Sequence, residues 1–477
     1  MTVEAHDSTL LTPDAELAIE QLESESLDED NRLKPEFVRK VRDSLEAGER
    51  DAVYDLVEPL HPADIADLFE LLPNDERREL ARAITDLMGA EVFAELNDWV
   101  RELIVEDLPA ETVAEIAEQL DTDDAVAMIE DLDEEDQQAV LAEMEPEDRA
   151  AIESALSYPE ETAGRLMSRD FIAVPEHLMV GDLIDYLRDN QQLATEFWEV
   201  FIVDARHHPV GTCLLSWILR APRSVALSDV MKRDQTLIPV QMDQEEVALR
   251  FQKYALISAA VVDESGRLVG QITVDDVVHI IQEEAGEDVL LLSGAGEGDI
   301  NEPLHLTVRT RLLWLLVNLP TAMLAATIVS QFDAEIARYA VLATLMGIVT
   351  GMGGNAGTQT LAVVVRAIAT NQLTSSNTAR VIFREFRIAA ANGVSLGLLI
   401  GLGAFLLWHS VPLALVFGAA IVINNLVAGL AGVFVPVTLD RFNIDPATSS
   451  AVFVTMCTDC MGFLSFLGLA HLAGIGA

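Results

Sequence analysis

The distribution of apolar residues divides the chain into a polar first part and an apolar last part. From about residue 311 onward, five mostly apolar segments follow one another, each about 20 residues long or longer. Segments of that length and composition are typical of helices that cross a lipid bilayer. The pattern therefore predicts a five-helix transmembrane bundle, with segments at about residues 311–331, 339–366, 388–408, 411–438 and 447–474.

The second apolar segment contains a polar stretch that does not suit a lipid-facing helix. Residues 351–360 read Gly-Met-Gly-Gly-Asn-Ala-Gly-Thr-Gln-Thr, with four glycines and two amides. Glycine weakens helices, and amides in hydrocarbon require hydrogen-bond partners. We therefore expect this face of the helix to contact protein or water, and to line a pore.

Upstream of the membrane segments, an apolar residue recurs every twelve positions. Each is followed by residues such as Pro, Asp, Asn or Thr and then by acids, the pattern of a turn that enters an N-capped helix. Because each unit is too short to bury its own core, the units are expected to stack into an all-α superhelix. Its expected role is docking or sensing, and an inert spacer is the alternative. The repeated residues are Leu60, Leu72, Ile84, Leu96, Leu108, Leu120, Leu132 and Met144.

A second internal repeat follows the first. Met167-Ser-Arg-Asp and Met231-Lys-Arg-Asp stand 64 residues apart, and each precedes a short β-like run, an amphipathic helix and two further strands. In both copies the last two strands carry Val-Asp and then Val-Gly. This duplicated β-α-β-β-α unit resembles a tandem pair of CBS domains, a module that often binds adenine nucleotides or cations.

The second copy fits the nucleotide-binding pattern of that module better than the first. The resemblance implies that Asp276, with Thr273 before it, holds the ribose of a nucleotide such as ATP. In the first copy the equivalent positions are Trp217 and Leu214. A nucleotide is therefore expected, if at all, in the second copy.

An acidic helix from Val277 to about Ser293, followed by a flexible connector, joins the CBS pair to the membrane segments. The fold class predicted from these patterns is a multidomain integral membrane protein with an all-α superhelix, an α/β CBS pair and a five-helix bundle. The predicted boundaries are 1–32 for a disordered acidic arm, 33–157 for the superhelix, 158–230 and 231–282 for the two CBS domains, 283–308 for the connecting (plug) helix and linker, and 309–477 for the transmembrane domain.

The formal net charge of −49 is concentrated in the first part of the chain. The first 308 residues contain 22 basic and 73 acidic residues, whereas the remainder contains eight Arg, no Lys and six acids. A soluble part this acidic is not expected to bind nucleic acid. Four Lys against 79 acids are typical of a protein adapted to a high-salt cytoplasm, so acidic clusters alone are weak evidence for metal sites.

Arginines flank the membrane segments unevenly. They precede the first segment and lie between the second and third and between the fourth and fifth, at Arg309, Arg311, Arg366, Arg380, Arg384, Arg387 and Arg441. The positive-inside rule then predicts a multi-pass protein of the cell membrane, with cytoplasmic N-terminal domains and the C-terminus outside. No apolar signal-peptide region follows Met1, which agrees with a cytoplasmic N-terminal part.

Asp459 is the one acid near the middle of a membrane segment, since the others lie at segment ends (Asp333, Glu335, Glu385, Asp440 and Asp445). An unpaired carboxylate at that depth costs about 3 kcal/mol or more, so Asp459 should face water, an ion or a structural partner. A single carboxylate is neither a catalytic dyad nor a dehydrated Ca²⁺ cage, and no enzyme is expected. It suits Mg²⁺, which keeps several of its waters.

Two motifs of the membrane segments resemble those of a known protein family. The stretch Gly351-Met-Gly-Gly-Asn-Ala-Gly-Thr-Gln-Thr, with Arg366 after it, resembles the signature of the MgtE family of magnesium channels. Asp445-Pro-Ala and Thr458-Asp459-x-x-Gly462 are similar to the last membrane segment of that family. The order of superhelix, CBS pair, connecting helix and five segments matches from about residue 35 to the end.

The resemblance implies a homodimer in lipid with a central pore that passes Mg²⁺ down its electrochemical gradient. It places pore residues at Asp459, Asn355 and Gly354, beside Gly353. It also implies that the cytoplasmic domains bind regulatory Mg²⁺ between acidic faces, and that the plug helix then closes the pore. The sensor residues that it implies are Asp276, Glu284, Glu287, Asp288 and Asp123.

The chain departs from the family pattern at several positions. His279 and Ala255 stand where further acids are expected, Ala451 lies in a stretch that lacks a usual proline, and Gly347 replaces another proline. These departures predict a weaker or differently tuned sensor.

Two other functions stay open on sequence grounds. One is a less selective transporter of divalent metals such as Co²⁺, Mn²⁺ or Ni²⁺, which the pair Cys457 and Cys460 beside Asp459 would favour. The other is a nucleotide-sensing membrane receptor that transports nothing, and such a receptor would not need Asp459.

Overall fold

The computed structural model describes residues 26–475 apart from 131, 191–192, 194–196, 294–299, 375 and 443, and it leaves the side chains of Asp288 and Ser449 undescribed. Most of the predicted acidic arm and most of the predicted connector therefore lie outside the described residues. The chain forms two compact units, residues 1–281 and 282–477.

Short helices follow one another from residue 35 to residue 156. They are α1 Pro35–Glu46, α2 Arg50–Val57, α3 Pro62–Glu70, α4 Asn74–Ala83, α5 Ala90–Glu95, α6 Asp98–Val105, α7 Ala110–Ala117, α8 Thr122–Glu130, α9 Glu134–Glu143 and α10 Pro146–Leu156, with a 3₁₀ turn at Thr85–Leu87. This all-helical architecture agrees with the fold predicted for that part of the sequence.

The twelve-residue repeat marks the turns between these helices. Leu72 stands two residues before α4, and Leu132 stands two residues before α9. Both side chains are buried in one continuous apolar core, together with Ile84, Leu96 and Met144. Leu60, Leu108 and Leu120 are half-buried against the same core. The repeat therefore exists because each turn contributes one apolar side chain to a core that no single unit could form.

The CBS pair follows as two copies of one α/β unit. The first copy contains α11 Ala163–Leu166, β1 Ala173–Pro175, α12 Val180–Asp189, β2 Glu199–Val203, β3 Pro209–Leu214 and α13 Leu215–Arg220. The second contains α14 Leu227–Val230, β4 Leu237–Pro239, α15 Gln244–Tyr254, β5 Ser258–Val262, β6 Leu268–Thr273 and α16 Val274–Ser293. In each three-stranded sheet the first strand pairs parallel and the third antiparallel with the middle strand.

The two copies exchange their leading segments. A Cβ on Gly211 would lie 2.8 Å from the Lys232 carbonyl, and a Cβ on Gly270 would lie 2.9 Å from the Ser168 carbonyl. Single β-bridges Thr212–Lys232 and Ser168–Gln271 form at the same places. The repeated Met-x-Arg-Asp and Val-Gly motifs therefore contact each other. The Met-x-Arg-Asp segment of each copy packs on the strand of the other copy that carries Val-Gly.

Long helices make up the second unit. After the end of α16 they are α17 Leu304–Ser330, α19 Val341–Ala369, α20 Thr378–Trp408, α21 Val411–Arg441 and α22 Pro446–Leu472, with the six-residue helix α18 Asp333–Arg338 between α17 and α19. Length and composition make α17, α20, α21 and residues 450–472 of α22 candidates to cross a membrane. Helix α19 is as long as these but is not among those candidates, and it carries the glycines and amides of residues 351–360.

Candidate functional site

Helix α19 has two faces within the stretch 351–360. Gly353, Gly357 and Thr360 are buried, at the spacing of one helix face. Asn355 and Thr358 are exposed on the other face. A Cβ on Gly354 would meet no atom within 4 Å, so open space lies beside it. The predicted close packing and the predicted open face therefore coexist in one stretch.

The buried face packs against α21 through Asn424. This side chain is fully buried, and its Nδ2 donates a hydrogen bond of 2.8 Å to the carbonyl of Val349 on α19. A Cβ on Gly353 would lie 2.0 Å from that Nδ2, and a Cβ on Gly462 of α22 would lie 2.9 Å from it. The absence of side chains at Gly353 and Gly462 therefore leaves space for the Asn424 amide, which contacts α19 and α22 from α21.

The same face also packs against α22, the helix that carries Asp459. A Cβ on Gly357 would lie 2.7 Å from Val454 Cγ1 and 3.5 Å from Thr458 Cγ2. Thr458 is fully buried, and its hydroxyl donates to the Thr455 carbonyl in its own helix. Because Thr458 is fixed against α19, the backbone that positions the next residue is also fixed.

Asp459 is half-buried within α22. No hydrogen bond or ion pair to its carboxylate occurs among the residues that the structure describes. A carboxylate in an apolar helix requires a compensating charge, water or a proton. No charged side chain pairs with it among the described residues, so the alternative of a structural ion pair is not seen there.

The predicted sensor begins at the start of α16. Thr273 donates to Asp276 through its hydroxyl, with Oγ1 and Oδ2 2.6 Å apart, and through its backbone N–H at 3.3 Å. Burial raises the pKa of Asp276, and the Thr273 hydrogen bond opposes this change. Thr273 and Asp276 are therefore adjacent, as the nucleotide prediction requires.

Two acids of α8 lie near Asp276. One carboxylate oxygen of Asp123, Oδ1, is buried without a hydrogen-bond partner among the described residues. Burial first, and then the charges of Asp276 and Asp124, raise the pKa of Asp123 well above its ordinary value. Burial and Asp276 raise the pKa of Asp124 to about 6. Three carboxylates thus repel one another, and a cation between them would relieve that repulsion.

Sequence reasoning found two of these three acids and missed Asp124. The signal was present, since Asp124 adjoins Asp123, but it could not be separated from the other acids of an acidic chain. Within the described part of the chain, no group of three or more His, Cys, Asp or Glu side chains is arranged to enclose a metal ion.

The remaining predicted sensor residues lie further along α16. Glu284 and Glu287 both take part in interactions, and the side chain of Asp288 lies outside the described set. At the end of the helix, Leu291 and Leu292 pack against an apolar cluster that includes Leu361 of α19 and Val454 of α22. The end of the predicted plug helix thus contacts both helices that carry predicted pore residues.

Family models match three parts of the chain. A model of MgtE, described as a divalent cation transporter, matches residues 346–469. A model of the MgtE intracellular N domain matches residues 60–161, and a CBS domain model matches residues 227–283. The three matches fall on the membrane helices, the superhelix and the second CBS copy.

Curated relatives carry one shared name. A magnesium transporter MgtE of Enterococcus faecalis is 30% identical over 67% of this chain and 71% of its own length. The magnesium transporter MgtE of Thermus thermophilus is 29% identical over 92% of this chain and 99% of its own length. The magnesium transporter MgtE of Bacillus subtilis is 27% identical over 92% of this chain and 98% of its own length.

Among the solved structures that resemble part of the chain, two cover about half of it. One is described as the cytosolic domain of the Mg²⁺ channel MgtE in complex with ATP. It is 28% identical, with a TM-score of 0.47, over 51% of this chain and 99% of that one.

Proposed function

This chain belongs to the MgtE family of divalent cation transporters, and from that premise we propose that it conducts Mg²⁺ across the cell membrane down the electrochemical gradient of the ion. The observation that carries the proposal is the carboxylate of Asp459, which lies in an apolar helix without a charged partner among the described residues. Mg²⁺ that keeps its waters can be held by one such carboxylate per subunit, with Asn355 and the open space at Gly354 beside it.

The second part of the proposal is a homodimer. A conducting pore needs walls on all sides, and Asn355 and Thr358 are exposed on a single chain. The exposure of helix α17 also supports a dimer. Ala325 is its one buried residue, and its other side chains are exposed or half-buried. A two-fold axis beside Asn355 would place two copies of Asp459 around one hydrated cation.

The third part is regulation by internal Mg²⁺. The repulsion among Asp123, Asp124 and Asp276 disfavours their approach unless a cation lies between them. Further along the same helix as Asp276, Glu284, Glu287 and Asp288 are proposed to add to the sensor. Leu291 and Leu292 connect that helix to α19 and α22, which is the contact that a plug would use.

Mg²⁺ uptake into proteoliposomes tests the pore. We expect Asp459→Asn to reduce uptake at least tenfold, because an amide cannot supply the charge that holds the cation. Asp333→Asn serves as the matched control, since Asp333 is exposed at the start of α18, outside the long helices. Equal uptake by the wild type and Asp459→Asn would refute the pore assignment.

Selectivity separates the proposal from a general divalent transporter. A pore that binds the cation through the cation's hydration shell is expected to discriminate against Co²⁺, Mn²⁺ and Ni²⁺ only modestly. Direct ligation by Cys457 or Cys460 would instead favour these softer ions. Cys457→Ser with Cys460→Ser is therefore expected to leave Mg²⁺ uptake intact. Loss of Mg²⁺ uptake in that variant would favour the alternative.

A nucleotide in the second CBS copy is a further proposal, supported by the contact between Thr273 and Asp276. Titration of the full chain with ATP, in the wild type and in Asp276→Asn, measures it. Equal affinity in both would remove Asp276 from the ribose contact.

A further inference from the structure

A cavity of about 210 Å³ lies between α19, α20 and α21. Its polar wall consists of Gln359, Thr360, Arg384, Glu385, Asn392 and Asn425. Three of these are amides and one is a carboxylate, although the surrounding helices are mostly apolar. None of them is used by the conduction path proposed above, whose charge is on α22.

Besides the largely exposed Arg384, one charged residue lines this cavity, Glu385. The sequence places it near the end of a membrane segment, where solvent would be expected, but its side chain is only 7% exposed. Its Oε1 lies 4.0 Å from Arg384 Nη1, beyond hydrogen-bonding distance, and the Arg384 side chain is 67% exposed. No hydrogen bond to the Glu385 carboxylate occurs among the described residues. Burial without such partners is costly for a carboxylate unless a cation or a proton accompanies it.

The cavity wall is close-packed. A Cβ on Gly429 would lie 2.6 Å from Ala389 Cβ, and a Cβ on Gly393 would lie 3.1 Å from Asn425 Cβ. These glycines hold α20 against α21 along the stretch that contains Glu385 and Asn425. The polar groups are therefore fixed by helix packing and do not depend on a mobile loop.

The chemistry of the wall suits a hard cation. Asn425 Nδ2 donates to the Ile421 carbonyl at 2.9 Å, which leaves the amide oxygen as the group that it can offer to a ligand. Carboxylate, amide and hydroxyl oxygens are the groups that Mg²⁺ prefers, directly or through water. The described lining contains neither sulfur nor imidazole, the donors that softer metals prefer.

The size of the cavity agrees with a hydrated ion. A cavity needs only about 15 Å³ of such space to hold one water, so this cavity has room for several waters. Mg²⁺ with six waters fits this space, and one carboxylate can hold such an ion through its hydration shell. A small monovalent ion would use the same oxygens but would not need so large a volume.

We propose that this cavity is a second intramembrane cation site, which binds a hydrated divalent cation, Mg²⁺, through Glu385, Gln359, Asn392 and Asn425. It is distinct from the proposed pore site at Asp459, since it is built by α19, α20 and α21. Gln359 and Thr360 belong to the same stretch as Asn355, so occupation of the site would brace the helix that carries the open face.

Protection of an introduced thiol by the ion tests the site. In the full chain, with Cys213, Cys457 and Cys460 replaced by Ser, Val363→Cys places one reporter at the cavity, because Val363 lines it, is 52% exposed and is not a proposed ligand. Modification by a small methanethiosulfonate reagent is timed with and without millimolar Mg²⁺. We expect Mg²⁺ to slow the reaction at least threefold, and Na⁺ at equal ionic strength to leave its rate unchanged.

Two variants identify the origin of that protection. Glu385→Gln is expected to abolish it, whereas Asp459→Asn is expected to retain it, whether or not that variant conducts. If Glu385→Gln does not assemble, Asn392→Ala takes its place, because Asn392 is exposed at the cavity mouth, and it is expected to weaken the protection. Absence of protection in the parent, equal protection by Na⁺, or full protection in both Glu385→Gln and Asn392→Ala would each overturn the proposal.

Discussion

Gly353→Ala should disrupt the junction of three membrane helices. The added Cβ would lie 2.0 Å from Asn424 Nδ2 and 2.7 Å from Asn424 Cγ, distances that force the amide to move. Asn424 is fully buried and donates to the Val349 carbonyl at 2.8 Å, so movement also breaks the hydrogen bond between α19 and α21.

The structure allows the net effect of Gly353→Ala to be estimated. Overpacking of a close-packed site costs about 1–3 kcal/mol. A hydrogen bond between membrane helices contributes about 0.6 kcal/mol on average and about 1.7 at most. Alanine offsets about 1 kcal/mol of this through its higher helix propensity. We therefore expect Gly353→Ala to lower the free energy of unfolding by about 1–3 kcal/mol.

Reversible unfolding of the purified protein in mixed micelles, by titration with a denaturing detergent, measures this change. Gly347→Ala is the matched control. Gly347 lies on the same helix as Gly353, and a Cβ there would meet no atom within 4 Å. In an Asn424→Ala background the clash disappears, so Gly353→Ala should cost at least about 1 kcal/mol less there. Equal stability of Gly353→Ala and Gly347→Ala, or additive effects in the double variant, would refute the assigned packing.

Three further outcomes are expected. The raised pKa values of Asp123 and Asp124 destabilise the metal-free fold as pH rises through about 6, and this loss is absent below about 4. Hydrogen exchange in α8, corrected for intrinsic rates, should therefore become slower as the pH is lowered from 7 to 5. Addition of Mg²⁺ at pH 7 should also slow it. Exchange that does not depend on pH would contradict the repulsion among these carboxylates. Leu292→Ala should raise Mg²⁺ uptake into vesicles with high internal Mg²⁺, and unchanged inhibition would argue against a plug. Asp445→Ala removes the side chain that accepts from two backbone N–H groups at the start of α22, so it should cost about 1 kcal/mol in the same detergent titration; no loss would show that the cap is dispensable.

Local patterns of the sequence predict the superhelix and the CBS pair well. A turn needs an apolar residue and a helix-start residue within a few positions, so the spacing of Leu72 and Leu132 determines where α4 and α9 begin. The second repeat is likewise visible as a motif recurring at a fixed distance. What the repeat does not reveal is the exchange of leading segments, because the contact of Gly270 with Ser168 joins residues far apart in the chain.

The candidate sites are less accessible from sequence, for two reasons. Asp124 joins Asp123 and Asp276 through its closeness to Asp276, and that closeness depends on how the superhelix packs on the CBS pair. Glu385 is near the end of a helix in sequence but is buried in space, because Gly393 and Gly429 bring α20 and α21 together around it. Distance along a helix predicts depth in a membrane, but exposure depends on neighbouring helices.

The division of the stretch 351–360 by helix face follows from the same packing. Gly353 and Gly357 contact α21 and α22, whereas Gly354 and Asn355 face open space in a single chain, and Gln359 reaches the cavity beside Glu385. A residue that lacks neighbours in its own chain can be replaced without an internal clash, so its substitution should alter conduction more than stability. The buried glycines should behave in the opposite way. One polar sequence motif therefore combines three physical tasks, and the side that each residue faces decides which task it has.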